Sequence, residues 1–118
     1  MKPLSIYLAD LTHTTLSVAT EAFPLNIGYV GAYCLERYSE KVEITLFKYI
    51  DELESALQTS PPDVLGLSNY PWNHSVGLEL LDIMHEIRPE TLCVMGGSNI
   101  PHQPDLQDEF IRSKPGID

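Results

Sequence analysis

Apolar residues arrive in short blocks separated by polar segments bearing proline and glycine, and the blocks alternate between two periodicities. "LSIYLAD" (4–10) is a continuous apolar run rich in Ile, Leu and Tyr, the pattern of a strand covered on both faces. After a threonine-rich loop, "FPLNIGYVGAYCLERYS" (23–39) sets Ile27, Val30, Cys34 and Leu35 at helical spacing, with Asn26 placed to cap the helix just after Pro24. "KVEITLFKY" (41–49) alternates Val42, Ile44 and Leu46 with Glu43, Thr45 and Phe47, which predicts a strand with one exposed face at a sheet edge. Asp51 and Glu54 then make an Asp-x-x-Glu start resembling a capping box, opening a short helix with Leu53, Ala56 and Leu57 inward. Pro61 and Pro62 stop it.

"DVLGLS" (63–68) predicts a third, buried strand, followed at once by the polar and aromatic loop "NYPWN" (69–73). From His74 to Arg88 the residues Val76, Leu80, Ile83, Met84 and Ile87 repeat at three and four positions, an amphipathic helix that Pro89 closes. "TLCVMGG" (91–97) is the fourth strand, and Pro104 opens a last helix carrying Leu106, Phe110 and Ile111. "KPGID" (114–118) has the character of an approach to a further strand.

Strands alternating with helices through short loops imply a parallel sheet, because parallel neighbours need crossover helices and the crossovers are right-handed. The expected fold class is α/β: a doubly wound, flavodoxin-like (Rossmann-like) three-layer αβα domain lacking its last strand. Ligands of such sheets sit outside the carboxyl ends of the strands. Those ends are here Asp10 to Thr14, Ser68 to Trp72 and Gly96 to Asn99, so three unusual loops share one edge.

The length of 118 residues fits one domain, residues 1–118. No apolar run approaches the roughly 20 residues a membrane helix needs, and "MKPLSIYLAD" lacks the apolar core and cleavage site of a secretory signal, so no membrane partner and a cytoplasmic location are expected. A net charge of −10 with seven dispersed basic residues provides no surface for phosphates, which excludes nucleic acid as a partner class. The two cysteines, Cys34 and Cys93, read as core thiols and indicate neither a disulfide framework nor a metal cluster.

Candidate chemistry concentrates on the loop edge. Gly96 and Gly97, in "VMGGSNIP" (94–101), either make a tight strand-to-helix turn or let a ligand approach the backbone. Trp72 beside Tyr70 either offers a flat face with a polar edge or covers the end of the core. Gly28 and Gly31 either admit a ligand or seat the first helix closely on the sheet. His85 and Asp82 share one turn of the third helix, where a solvated pair is expected. No residue is assigned a catalytic or metal-binding role.

Three stretches together carry a resemblance: "FPLNIGYVGAY" after the first strand and a long loop, "PPDVLGLS" ending the third strand, and "CVMGGSNIP" ending the fourth. In order and spacing the chain resembles the N-terminal cobalamin-binding domain of cobalamin-dependent radical S-adenosylmethionine enzymes. Ser68 and Gly96 stand 28 positions apart, similar to the Ser-x-Leu to Gly-Gly interval of cobalamin domains, with Tyr70 in place of that Leu. The resemblance implies that cobalamin rests on the loops, with Thr12, His13, Thr14, Gly28, Tyr29, Ser68, Asn69, Tyr70, Gly96, Gly97 and Ser98 around it. The glycine pair would then clear a slot for the nucleotide tail, and Ser68 would hydrogen-bond its base.

Many cobalamin domains carry Asp-x-His-x-x-Gly after the first strand; "DLTHTTL" (10–16) has a different spacing and no following glycine. The resemblance therefore implies base-off cobalamin with no protein histidine on cobalt. It also implies a longer parent enzyme of methyltransferase type, in which a downstream radical S-adenosylmethionine barrel carries a 4Fe-4S cluster and S-adenosylmethionine. Such a cluster needs three thiolates in Cys-x-x-x-Cys-x-x-Cys, absent from this sequence. A cut before the fifth strand of the order 2-1-3-4-5 would leave the fourth strand as an apolar edge and invite homo-oligomers.

The competing reading is a flavodoxin-like interaction or signalling domain that does not bind cobalamin. A phosphoacceptor receiver needs an acidic cluster after the first strand, an Asp ending the third and a Lys near the last. This chain offers Asp10 alone, Ser68 at the third site and no such Lys.

Overall fold

A computed structural model describes residues 2–12 and 24–118. Four strands, β1 (Leu4–Ala9), β2 (Val42–Phe47), β3 (Val64–Ser68) and β4 (Leu92–Gly96), alternate with the helices α1 (Leu25–Tyr38), α2 (Ile50–Thr59), α3 (His74–Ile87) and α4 (Pro104–Arg112). The strands form one sheet in the order β2-β1-β3-β4, and every pairing is parallel. The architecture is the expected α/β, flavodoxin-like arrangement with β2 and β4 at its edges.

Strand alternation divides the residues between two faces. Tyr7, Ala9, Phe47, Leu65, Leu67 and Cys93 point to one side and join Leu53 and Leu57 of α2 with Leu80, Leu81 and Met84 of α3 in a single buried cluster. Each fully buried leucine there contributes about 1.5–3 kcal/mol. Burial and the nearby Asp118 charge push the Cys93 thiol up to about 11.

The opposite face is covered differently. α1 lies over β1 and β2, and Gly31 allows the contact: a Cβ there would stand 3.4 Å from the side chains of Ile44 and Leu46. Among the described residues nothing covers the sheet beyond α1, and Val94 of β4 is 44% exposed. Val30, which borders that opening, and Leu35, both expected inside, are about half exposed. α4 runs near the outer edge of β4, with the Phe110 ring 6.3 Å from that of His74. At that edge the Asp118 N–H donates to the Cys93 carbonyl (2.9 Å), and the Cys93 N–H donates to the Asp118 carboxylate (2.9 Å).

Three local expectations are corrected. α1 begins at Leu25 with Pro24 as its cap residue, and its Pro24 carbonyl accepts from Gly28 N–H. Asn26 therefore lies inside the first turn and is free to act elsewhere. α2 begins at Ile50 with no side-chain cap, because Ile50 packs on the core; Asp51 and Glu52 fall in the first turn, where they suit the helix dipole. His85 forms no outer pair with Asp82; its Nδ1–H donates to the Leu81 carbonyl at 2.9 Å.

At the amino ends of the strands, Asp63 gathers several elements. Its carboxylate accepts from Ser5 N–H at 2.8 Å and from the Arg88 guanidinium at 2.7 Å. The Ser5 hydrogen bond and then Arg88 hold the carboxyl below its ordinary range. A depressed folded value means that the unfolded chain takes up the proton first, so the stabilisation is complete above about pH 4 and fades as pH falls through the folded value. In urea melts, the native chain is expected to exceed Asp63→Asn by no more than about 1 kcal/mol at pH 6, since both partners are partly exposed. The difference should shrink as pH falls below about 4 and through the lowered folded value; a constant difference would show that the carboxylate charge is irrelevant.

Candidate functional site

The open part of the second face forms a cleft of about 320 Å³ at the carboxyl edge of the sheet, near the lower end of the usual range for ligand sites. Leu8, Gly66 and Val94 belong to its floor, Asn26, Ile27 and Val30 of α1 to its wall, and Ser68, Tyr70, Gly96 and Gly97 to its rim. The lining is mainly apolar with a few polar groups at the mouth, the composition expected of a small-molecule site.

The two adjacent glycines do different things. Gly97 has φ +128°, and a Cβ on it would fall 2.9 Å from the Asn69 carbonyl oxygen, so it serves the turn. Gly96 has ordinary backbone, and among the described residues nothing lies within 4 Å of where its Cβ would be. It keeps the cleft open.

Asn69 fastens the rim from behind. It is wholly buried; its N–H donates to the Gly96 carbonyl at 2.7 Å, and its own carbonyl accepts from Asn99 N–H at 3.1 Å. Its Oδ1 accepts from Asn99 Nδ2 at 3.0 Å and from His74 Nδ1–H at 3.0 Å. One side chain thus holds together the loops after β3 and β4 and the start of α3.

A second network faces the cleft. Ser68 Oγ lies 2.6 Å from an Asp10 carboxylate oxygen, and Asn73 Nδ2 donates to Ser68 Oγ at 3.2 Å and to the Leu11 carbonyl at 3.2 Å. Asn73 Oδ1 accepts from Tyr70 N–H at 2.8 Å, three residues back, which closes the loop on itself. At the mouth, Asn26 Nδ2 donates to the Tyr70 hydroxyl at 3.2 Å, linking α1 to the β3–α3 loop. Tyr70 stacks on Trp72 with ring centres 4.7 Å apart and planes 8° apart. Trp72 is 55% exposed, so the pair offers a flat aromatic surface beside the cleft.

Of the residues singled out from sequence, Ser68, Tyr70, Gly96 and Gly97 meet at the cleft, with Asn69 behind them. Thr12 is buried beyond the end of β1, its N–H donating to the Lys48 carbonyl, and Ser98 is exposed next to Gly97. Gly28 faces open space. Tyr29, 69% exposed, borders an outer groove of α1 with Tyr33 and Glu36, away from the cleft. His13 and Thr14 lie outside the described residues.

Sequence reasoning missed Gly66, Val94 and the site role of Asn26, and placed Asp10 and Asn73 on the edge loops without their bonds to Ser68. A glycine inside a strand is a recognised sign of close approach, and Gly66 carried that sign. Among the described residues no group of three or more His, Cys, Asp or Glu side chains is gathered to hold a metal ion. Nor is any described helix long and apolar enough to cross a membrane.

The contrast between the glycines is measurable. Gly97→Ala is expected to lower unfolding free energy by about 1–3 kcal/mol, whereas Gly96→Ala should be neutral or stabilising by up to about 1 kcal/mol. Equal losses in thermal melts would contradict the assignment of the turn to Gly97.

No protein-family model matches the chain. Over 65 residues, 55% of its length, it is 37% identical to the 2-(S-pantetheinyl)-carbapenam-3-carboxylate methyltransferase of Streptantibioticus cattleyicolor, and the match covers 9% of that protein. Over 57 residues, 48% of its length, it is 39% identical to the cobalamin-dependent radical SAM methyltransferase TokK of Streptomyces tokunonensis, covering 8% of that protein. The matched stretch spans less than a tenth of either relative. About half of the chain is therefore similar to part of two methyltransferases, one of them a cobalamin-dependent radical SAM enzyme.

Proposed function

We propose that residues 1–118 are a cobalamin-binding module in the N-terminal part of a longer cobalamin-dependent radical SAM enzyme of methyltransferase type. The observation that carries the reading is the cleft at the carboxyl edge of a parallel sheet, kept open at Gly96, where a Cβ would project into free space. The partial similarity to TokK supports the same choice of cofactor.

In this reading the apolar floor and the α1 wall enclose the nucleotide tail, and the rim supports the corrin. Tyr70 and Trp72 cover part of the ring and exclude water. Bound cobalamin supplies the methyl-carrying cobalt; the protein contributes orientation and a dry surface. The 4Fe-4S cluster and S-adenosylmethionine belong to a downstream barrel, since the two cysteines of this sequence are too few for a cluster. Residues following Asp118 would continue along β4 as a fifth strand, as its contact with Cys93 favours.

A second reading, a flavodoxin-like interaction domain without cobalamin, is favoured by the outer face of α1, where Tyr29, Tyr33 and Tyr38 are all more than half exposed. In the cobalamin reading that face meets the downstream barrel.

Titration with hydroxocobalamin separates the two. Binding is expected to shift its visible spectrum and to stabilise the protein by about 2.7 kcal/mol at one hundred times Kd. Gly96→Leu should abolish both effects while the unliganded melting temperature stays near that of the native chain. An unchanged spectrum and melting curve at millimolar ligand would leave the interaction domain as the surviving reading.

A further inference from the structure

Ser68 closes β3 with its side chain toward the cleft and is 7% exposed. Two groups hold its oxygen, the Asp10 carboxylate at 2.6 Å and Asn73 Nδ2 at 3.2 Å. A carboxylate accepts and an amide nitrogen donates, so the polarity follows: Ser68 gives its single O–H to Asp10 and accepts from Asn73. The distance is that of a charge-assisted O–H···O⁻ bond, stronger than a neutral one. Asn73 is fixed in the same sense, because its Oδ1 accepts from Tyr70 N–H and its Nδ2 also serves the Leu11 carbonyl. For a ligand, Ser68 has one lone pair left and no proton.

We propose that Asp10 is a specificity-determining residue of this cleft. By holding the Ser68 proton it makes the inner polar point of the cleft an acceptor. The cleft then selects a ring whose buried edge carries an N–H or O–H donor, and disfavours one whose edge is a bare ring nitrogen. One consequence rests on the cobalamin reading. The nucleotide base of cobalamin is joined to its sugar through one ring nitrogen and presents the other as an acceptor, so Ser68 bonds it only by releasing Asp10. Asp10 thereby weakens the hold on the tail and leaves it easier to withdraw.

Two isomers of equal size test this directly, 2-methylbenzimidazole, which has an N–H donor, and 1-methylbenzimidazole, which has only the acceptor nitrogen. Titrated into the ¹⁵N-labelled 118-residue chain, the donor isomer is expected to bind about five- to tenfold more tightly, the effect of one matched buried hydrogen bond, and to move the Ser68 and Gly96 amide signals. Asp10→Ala frees the hydroxyl proton and should erase or reverse the preference. Ser68→Ala should erase it too, and serves if the first variant is unfolded. Hydroxocobalamin should bind Asp10→Ala severalfold more tightly than the native chain.

Equal affinity of the native chain for the two isomers overturns the proposal, as does an unchanged ratio in both variants or failure of both isomers to perturb the cleft. Discrimination between the isomers without any response to hydroxocobalamin refutes the cobalamin reading and upholds the role of Asp10. Binding of hydroxocobalamin with no discrimination does the reverse.

Discussion

A parallel sheet has two apolar faces, and both must be covered. In this chain α2 and α3 bury the part of one face that carries Tyr7, Ala9, Phe47, Leu65, Leu67 and Cys93, while among the described residues α1 covers only the β1–β2 half of the other. The uncovered half, with Gly66, Val94 and Gly96, becomes the floor and rim of the cleft. Each Å² of apolar surface left in water forgoes about 25 cal/mol, so the same incomplete covering that creates the cleft favours whatever fills it. The position of α1 therefore governs both the packing of the sheet and the presence of a site.

The rim depends on buried amides in place of further apolar packing. Asn69 and Asn73 each use both ends of the side chain, Asn69 to the side chains of Met95, His74 and Asn99, Asn73 to the backbone of Tyr70 and Leu11 and to the Ser68 hydroxyl. Satisfied polar networks of this kind give a loop a defined shape, because an unpaired buried group is costly. Gly97 lets the Asn69 carbonyl come close. The Asp10–Ser68 bond is attached to this framework, so the direction of one hydroxyl proton is set by residues just after β1, at the end of β3 and in the loop between β3 and α3.

The glycine pair shows how far residue-level reading reaches. A turn and a ligand passage are both good reasons for adjacent glycines; Gly97 makes the turn, while among the described residues the space beside Gly96 is empty. Composition and spacing treat these residues alike; only the path of the loop after β3 separates them. Likewise Asn26 has the right type and place for a helix cap, yet the cap residue of α1 is Pro24, two positions earlier, and the amide reaches Tyr70 instead. Cap signals are local, and a helix end moves by a residue or two when packing, as at Ile50, rewards it.

By itself the sequence determined the order of strands and helices, the parallel sheet they imply and the edge on which the cleft lies, because hydrophobic periodicity, proline stops and crossover geometry are properties of local chain. It also pointed to Ser68, Tyr70, Gly96 and Gly97, which do meet at one cleft. The tertiary structure alone decided that α1 leaves half a face open, that Tyr29 turns away from the cleft, and that Asp10 takes the Ser68 proton. These outcomes depend on distances between residues far apart in the chain, 58 positions in the case of Asp10 and Ser68, and no periodicity encodes such a distance.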